Sequence, residues 1–196
     1  YLNKLLSSKN VDYVIASDTD SMYLNLGPLV DKFFANKSSD KAAIVTILDK
    51  ICEDKLEPFI ESSYQELADY VSAYEQKMKM KRENIADRGI WTAKKRYILN
   101  VWDSEGVRYV EPKMKICGME TARSSTPAFF RDKLLKAYEI IIHEDNDVMI
   151  EYINKVKEDT RKEDCVNIAF PRGVNGLKKY KSVSDIYSKG APIHVR

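Results

Sequence analysis

Histidine is nearly absent from this chain of 196 residues; His143 and His194 are the only two, and neither has a recognisable catalytic or metal-binding neighbour in the sequence. Core or surface roles suit both. Cysteine is scarce as well: Cys52, Cys117 and Cys165 lie far apart, without the paired spacing of a zinc site or a dithiol redox motif. That usage fits a reducing compartment, and the expected location is cytoplasmic. Long apolar runs are missing too. The longest, Ala42 to Leu48, is far short of the roughly 20 residues needed to cross a bilayer, so no membrane partner is expected. The opening residues do not read as a secretory leader, which makes the glycosylation-type triplet Asn36-Lys37-Ser38 a chance match. No internal repeat and no low-complexity segment is present. Both ends, Tyr1 and Arg196, look cut, and the chain reads as a piece of something longer.

Charge is plentiful but balanced. Lys and Arg number 32 against 30 Asp and Glu, a net of +2, which by itself names no polyanion partner. The distribution is more informative. Residues 1–70 carry seven basic against twelve acidic side chains, residues 71–125 carry twelve against seven, and from Pro171 to Arg196 six basic residues face only Asp185. An acidic front followed by basic stretches fits a protein that handles nucleic acid, although solvated helix faces give similar counts.

The most informative stretch is Ser17-Asp18-Thr19-Asp20-Ser21. It lies between two apolar runs of strand length, Tyr13 to Ala16 and Met22 to Leu26. A hairpin here puts two carboxylates on one tip with a hydroxyl on each side. Asp and Ser are ordinary turn formers, so the motif alone is compatible with a simple turn. The turn contains no Gly, Asn or Pro, however, and two neighbouring like charges repel unless something positive sits near them. Magnesium takes oxygen ligands and usually only one or two carboxylates. Two such ions about 4 Å apart clamp the attacking and leaving oxygens of a phosphoryl transfer.

Further along, Tyr1 to Leu6 reads as the end of a helix, and Gly27-Pro28 breaks the second strand. Apolar residues from Ile44 to Val71 recur at mostly helical spacing, with Pro58 expected to kink or divide that stretch. Lys77 to Lys81 alternates strictly and predicts a strand with one basic face. Lys94 to Trp102 predicts another, with Asp103 to Gly106 turning the chain back through Val107 to Val110. Thr126 as N-cap and Pro127 at the first helical position open a helix, and residues 128–142 and 147–160 both read as helical. Strands come first and helices later, so the expected class is α+β.

Lys94-Lys95-Arg96-Tyr97 is the second constellation. Three adjacent cations on a strand are commonly a solvated edge; the alternative is a grip on phosphates or groove edges. Together, Asp-Thr-Asp-Ser at 18–21 and Lys-Lys-Arg-Tyr at 94–97 closely resemble the family B (polymerase alpha-like) DNA polymerases. Glu83 lies between them, where that family places another acid. The stretch Glu111 to Pro127 resembles the family's transition from palm to thumb, in the manner of the T-even bacteriophage group. The resemblance covers essentially the whole chain.

What the resemblance implies is a discontinuous palm segment over residues 1–118 and the beginning of a mainly helical thumb over 119–196. The activity implied is template-directed nucleotidyl transfer by a DNA-directed DNA polymerase. Asp18 and Asp20 become the carboxylates that hold two catalytic Mg2+ ions, and Glu83 a supporting catalytic acid. Lys94, Lys95, Arg96 and Tyr97 become the grip on the primer-template duplex, through the minor groove, with Lys115 and Arg123 meeting the DNA backbone. A minor-groove hold suits an enzyme that copies any sequence, because that edge shows acceptors in every base pair. The partners implied are primer-template DNA, deoxynucleoside triphosphates and the missing N-terminal part of a polymerase, in the same chain or as a separate subunit, in the host cytoplasm if phage-encoded. The pattern departs from the family at Ala16-Ser17, where Tyr-Gly is usual. The first acidic motif with its Ser-Leu-Tyr-Pro-Ser pattern, the fingers lysine with Asn-Ser-x-Tyr-Gly and the exonuclease motifs do not occur, so the isolated chain is expected to be inactive. The alternative is a non-catalytic DNA-binding module on a polymerase-like scaffold.

Overall fold

A computed structural model of the chain describes residues 1–6, 8–34, 40–171 and 176. The Asn36-Lys37-Ser38 triplet and, Gly176 apart, the basic tail from residue 172 onward lie outside the described residues. The fold is α+β, as expected, with two small antiparallel sheets and several helices. The chain divides into two compact units, Tyr1–Cys117 and Gly118–Arg196.

The first unit opens with helix α1 (Leu2–Leu6) and a hairpin of strands β1 (Val14–Ser17) and β2 (Met22–Leu24). Two strands alone are marginal in water, so this hairpin depends on what it touches. Tyr13 at its base is buried with Leu2 and Leu56, and Leu24, Leu26 and Cys52 pack around them. Burial also pushes the Cys52 thiol up to about 11, which leaves it a core residue with little thiolate character. Asn3 ties α1 to the same base, donating from Nδ2 to the Val11 carbonyl at 2.8 Å and accepting the Val11 amide at 3.1 Å.

Helix α2 (Gly27–Phe34) follows, so Gly27-Pro28 both ends the strand and begins a helix. Helix α3 (Lys41–Ile51) starts at Asp40, whose side chain accepts the Ala42 amide. A π-helical turn, Cys52–Leu56, joins it to α4 (Glu57–Tyr70), which places Pro58 in the first turn of α4. The absent proline N–H leaves a carbonyl of the preceding turn without its helical donor, and the expected break appears as a wide turn in a continuous helical path.

The second sheet has the order β3-β4-β5, with β3 (Asn84–Ala93), β4 (Arg96–Ser104) and β5 (Val107–Cys117) all antiparallel. The central strand is buried on both faces at Ile98, Leu99, Asn100 and Val101. Glu105 and Gly106, both at positive φ, form the β4–β5 turn, the backbone twist that two-residue hairpins favour. Two expectations need correction. Lys77 to Lys81 is not in a strand; its alternation has no partner to pair with. The lysines 94 and 95 do not open β4 but form the turn between β3 and β4, with Lys95 at φ +61.

An ionic network fastens this sheet to the helices. Arg82 reaches Asp49 through Nη2 at 2.6 Å and pairs through Nη1 with Asp103, which is 0% exposed. Arg108 binds the same two carboxylates at 3.3 Å, and the Gly106 amide donates to Asp103 at 3.0 Å.

The second unit contains a 3₁₀ turn (Glu120–Ala122), α5 (Ala128–His143), α6 (Asn146–Lys162) and the short α7 (Cys165–Ile168). The N-cap of α5 is Pro127, and not Thr126. Thr126 is buried and its hydroxyl donates to the Glu120 carbonyl at 2.6 Å, which locks the 3₁₀ turn and leaves the side chain unable to cap the helix. No described helix is long and apolar enough to cross a membrane.

Candidate active site

The tip of the β1–β2 hairpin is Thr19-Asp20. The ladder closes beneath it with the Asp18 amide donating to the Ser21 carbonyl at 2.9 Å. None of residues 17–21 has a positive φ, which explains why the turn needs no glycine and why Ser17 stands without strain in β1. Asp18 is fixed from within the turn: its Oδ1 accepts the Thr19 amide at 2.9 Å. Its Oδ2 lies 3.4 Å from the Lys95 ammonium. The Thr19 amide first, and Lys95 after it, hold the Asp18 carboxyl below the usual aspartate range. Asp20 is exposed and has no hydrogen bond or ion pair among the described residues.

Three aromatic rings bring the lysine turn to this tip. Trp91 and Tyr97 are cross-strand partners on β3 and β4, with ring centres 6.2 Å apart, and each lies 5.3 Å from Tyr23 on β2. The contact joins two hairpins that belong to different sheets. Burial, and after it the neighbouring Tyr23 hydroxyl, push the Tyr97 phenol above its ordinary range, so it stays a protonated donor. Lys94 is exposed at the turn and contributes to the field on Asp18. Arg96 opens β4 and is partly buried.

Glu83 and Lys115 form a second pair. The Lys115 ammonium reaches Glu83 at 2.8 Å and holds its carboxyl below the usual glutamate range. Among the described residues no three acids, cysteines or histidines converge on a metal-sized site, so Glu83 does not complete a cluster with Asp18 and Asp20. Arg123 is exposed beside the 3₁₀ turn and belongs to the second unit. The sequence reading missed Trp91 and Tyr23 as partners in this site. The apolar run around Tyr23 and the Trp91-Thr92 pair before the lysines were the available signals, but rings from separate hairpins show no spacing to read.

The donor chemistry fits a hard divalent cation in part. Asp18 and Asp20 offer carboxylate oxygens two residues apart, about the protein share magnesium takes, and Asp20 is open to accept one. The third acidic ligand of a two-metal clamp has no counterpart among the described residues.

No protein-family model matches the chain. It is 34% identical over 204 aligned positions to the DNA-directed DNA polymerase of Escherichia phage RB69, and equally so to that of Enterobacteria phage T4. Both alignments cover 100% of this chain but only 22% and 23% of those enzymes. Over its full length the chain is thus similar to one segment of these two phage DNA-directed DNA polymerases.

Proposed function

We propose that this chain is the part of a DNA-directed DNA polymerase that supplies metal-binding carboxylates and grips the primer-template duplex, with residues 1–118 as palm and 119–196 as the beginning of the thumb. The observation that carries the reading is the Lys95–Asp18 contact of 3.4 Å. It sets a cationic turn beside an acidic hairpin tip, the pairing of charges that a site for polyanion and divalent cation requires.

In this reading Asp20 is the principal metal ligand, because its carboxylate is exposed and has no competing donor among the described residues. Asp18 is the second, oriented through the Oδ1 that the Thr19 amide holds. Bound Mg2+ would supply neutralisation of charge developing on the attacking oxygen and the departing pyrophosphate. Lys94 and Lys95 face the duplex from the β3–β4 turn, while Arg96 and Tyr97 lie at the start of β4. Tyr97 contributes a donor that does not ionise near neutrality, suited to acceptors in a groove. Glu83 acts as a supporting acid, with Lys115 shared between it and the DNA backbone, and Arg123 meets the backbone from the second unit. Deoxynucleoside triphosphates are the substrates. The remaining acidic ligand and the triphosphate grip come from the upstream part of the polymerase, so the isolated chain is inactive.

Primer extension with magnesium and all four nucleotides tests this. The chain is assayed alone, then mixed with the upstream part of the T4 or RB69 enzyme after their association is confirmed. Extension in the mixture only, lost by orders of magnitude in Asp20→Ala with duplex binding retained, is the expected result. Extension by the chain alone refutes the need for the missing part. Duplex binding without extension, unaffected by Asp20→Ala, moves the function to a non-catalytic DNA-binding module.

A further inference from the structure

Gly89 is the one glycine inside β3, and strand glycines commonly mark a close approach. A Cβ placed there would lie 2.8 Å from Cη2 and Cζ3 of Trp91 and 2.8 Å from Leu99 Cδ2. Real side chains do not pack that closely, so the six-membered ring of the indole occupies the space a Cβ at Gly89 would fill, two residues back on the same face of the strand. From that seat the ring meets Tyr97 across the hairpin and Tyr23 on the other hairpin. Its Nε1 is buried and finds no acceptor among the described residues. The ring is therefore used here for shape, and a buried donor left without a partner works against stability.

The turn that Trp91 precedes is strained. Lys95 has φ +61, a region that a residue with a Cβ enters only at a penalty of about 1–2 kcal/mol. A lysine on a left-handed turn with its ammonium 3.4 Å from Asp18 needs its hairpin held from below, because an exposed ion pair of this kind contributes only about 0–1 kcal/mol.

We propose that Trp91, seated on Gly89, is a positioning residue that sets the lysine turn against the acidic hairpin. Its ring contacts are with Tyr23 on one side and Tyr97 on the other, and it acts through them. The consequence for duplex grip rests on the polymerase reading above, while the consequence for the turn does not.

Two readouts separate them. Trp91→Leu, Trp91→Phe, Lys95→Met and the double variant Trp91→Leu/Lys95→Met are made in the full chain and checked by circular dichroism. The first readout is the rate of trypsin cleavage after Lys94 and Lys95 relative to cleavage elsewhere, in the wild type, Trp91→Leu and Trp91→Phe. Trp91→Leu should accelerate it several-fold, and Trp91→Phe, which keeps a ring and drops the unpaired N–H, should leave it unchanged. The second is the salt dependence of binding to a primer-template duplex, followed by fluorescence anisotropy. Lys95→Met should lower the slope of log affinity against log salt by about one. Trp91→Leu should do the same, and the double variant should lose no more. Unchanged turn cleavage in folded Trp91→Leu overturns the proposal, as does a Lys95→Met effect that persists in full in the Trp91→Leu background. A wild-type chain that does not bind duplex sinks the polymerase reading, and the trypsin comparison then decides the positioning role alone. Should Trp91→Leu fail to fold, Tyr23→Leu, which withdraws the ring on the other hairpin, carries the same expectations.

Discussion

Asp103→Asn offers the sharpest test of how the first unit is held. The Asp103 carboxylate is 0% exposed and meets Arg82 and Arg108, while the Gly106 amide adds a third donor at 3.0 Å. Arg82 is itself only 11% exposed on its side chain. Converting the carboxylate to an amide keeps the shape and removes the charge, leaving Arg82 with Asp49 as its remaining anion. Removing one partner of a buried ion pair typically costs about 3–5 kcal/mol. The control is Lys41→Met: its pair with Asp87 at 3.0 Å is 46% exposed on the lysine side, where about 0–1 kcal/mol is the usual range. Both tryptophans, Trp91 and Trp102, lie in the three-stranded sheet, so intrinsic fluorescence in a thermal melt follows this unit. Asp103→Asn should lower its melting temperature by about 10 °C or more, and Lys41→Met should scarcely move it. A midpoint shift for Asp103→Asn no larger than that of Lys41→Met would refute the claim that this network holds the sheet to the helices.

The Glu83–Lys115 pair predicts a pH dependence. Because Lys115 lowers the Glu83 carboxyl from an ordinary value of 4.5, the pair's contribution is complete above that value and disappears as pH falls through the folded, lowered one. The stability difference between wild type and Lys115→Met should therefore be present near neutrality and shrink as the pH drops below 4.5, measured by urea midpoints across that range. In the second unit, Thr126→Val removes the donor to the Glu120 carbonyl at 2.6 Å. A loss of about 1–2 kcal/mol is expected, visible in the far-ultraviolet helical signal and silent in tryptophan fluorescence.

Some of this architecture was legible in the sequence, for physical reasons that differ between elements. The acidic hairpin was readable because two apolar runs flank a polar turn, and α5 and α6 because their periodicity is long and uninterrupted. Strand β3 was not: Asn84 to Ala93 contains Asp87, Arg88 and Gly89 and shows no clean alternation, since register shifts interrupt its pairing with β4. The Lys77 to Lys81 stretch erred in the other direction, having a strand pattern but no neighbour. Thr126 looked like a cap because the sequence cannot show that Glu120 offers it an acceptor. The Arg82–Asp49–Asp103–Arg108 network was illegible on any pattern, because its members are drawn from α3, the approach to β3 and the β4–β5 hairpin. At the proposed site, Asp18, Asp20 and the lysines were named by motif; that Lys95 meets Asp18, and Lys115 meets Glu83, depends on pairings only the fold makes.

The placement of the two hairpin carboxylates follows from a balance between like and unlike charge. Asp18 and Asp20 stand on a two-stranded hairpin that could not hold them alone. Their mutual repulsion favours splaying the tip, and within the turn the Thr19 amide on the Asp18 carboxylate and the Asp18 amide on the Ser21 carbonyl oppose this. Lys95 supplies a compensating positive charge, but weakly, at a largely exposed position. What remains to fix the geometry is apolar: Tyr13 packed on Leu2 and Leu56 beneath the hairpin, and Tyr23 against Trp91 and Tyr97 at its side. Those contacts are worth more than the ion pair, since burying one large apolar side chain contributes about 1.5–3 kcal/mol. In the proposed polymerase role the charges are then exchanged, a lysine for a metal ion on one side and a carboxylate for a phosphate on the other, while the scaffold stays in place. A site built for transient polyanions needs that order of strengths, with rigid packing below and weak, replaceable ion pairs above.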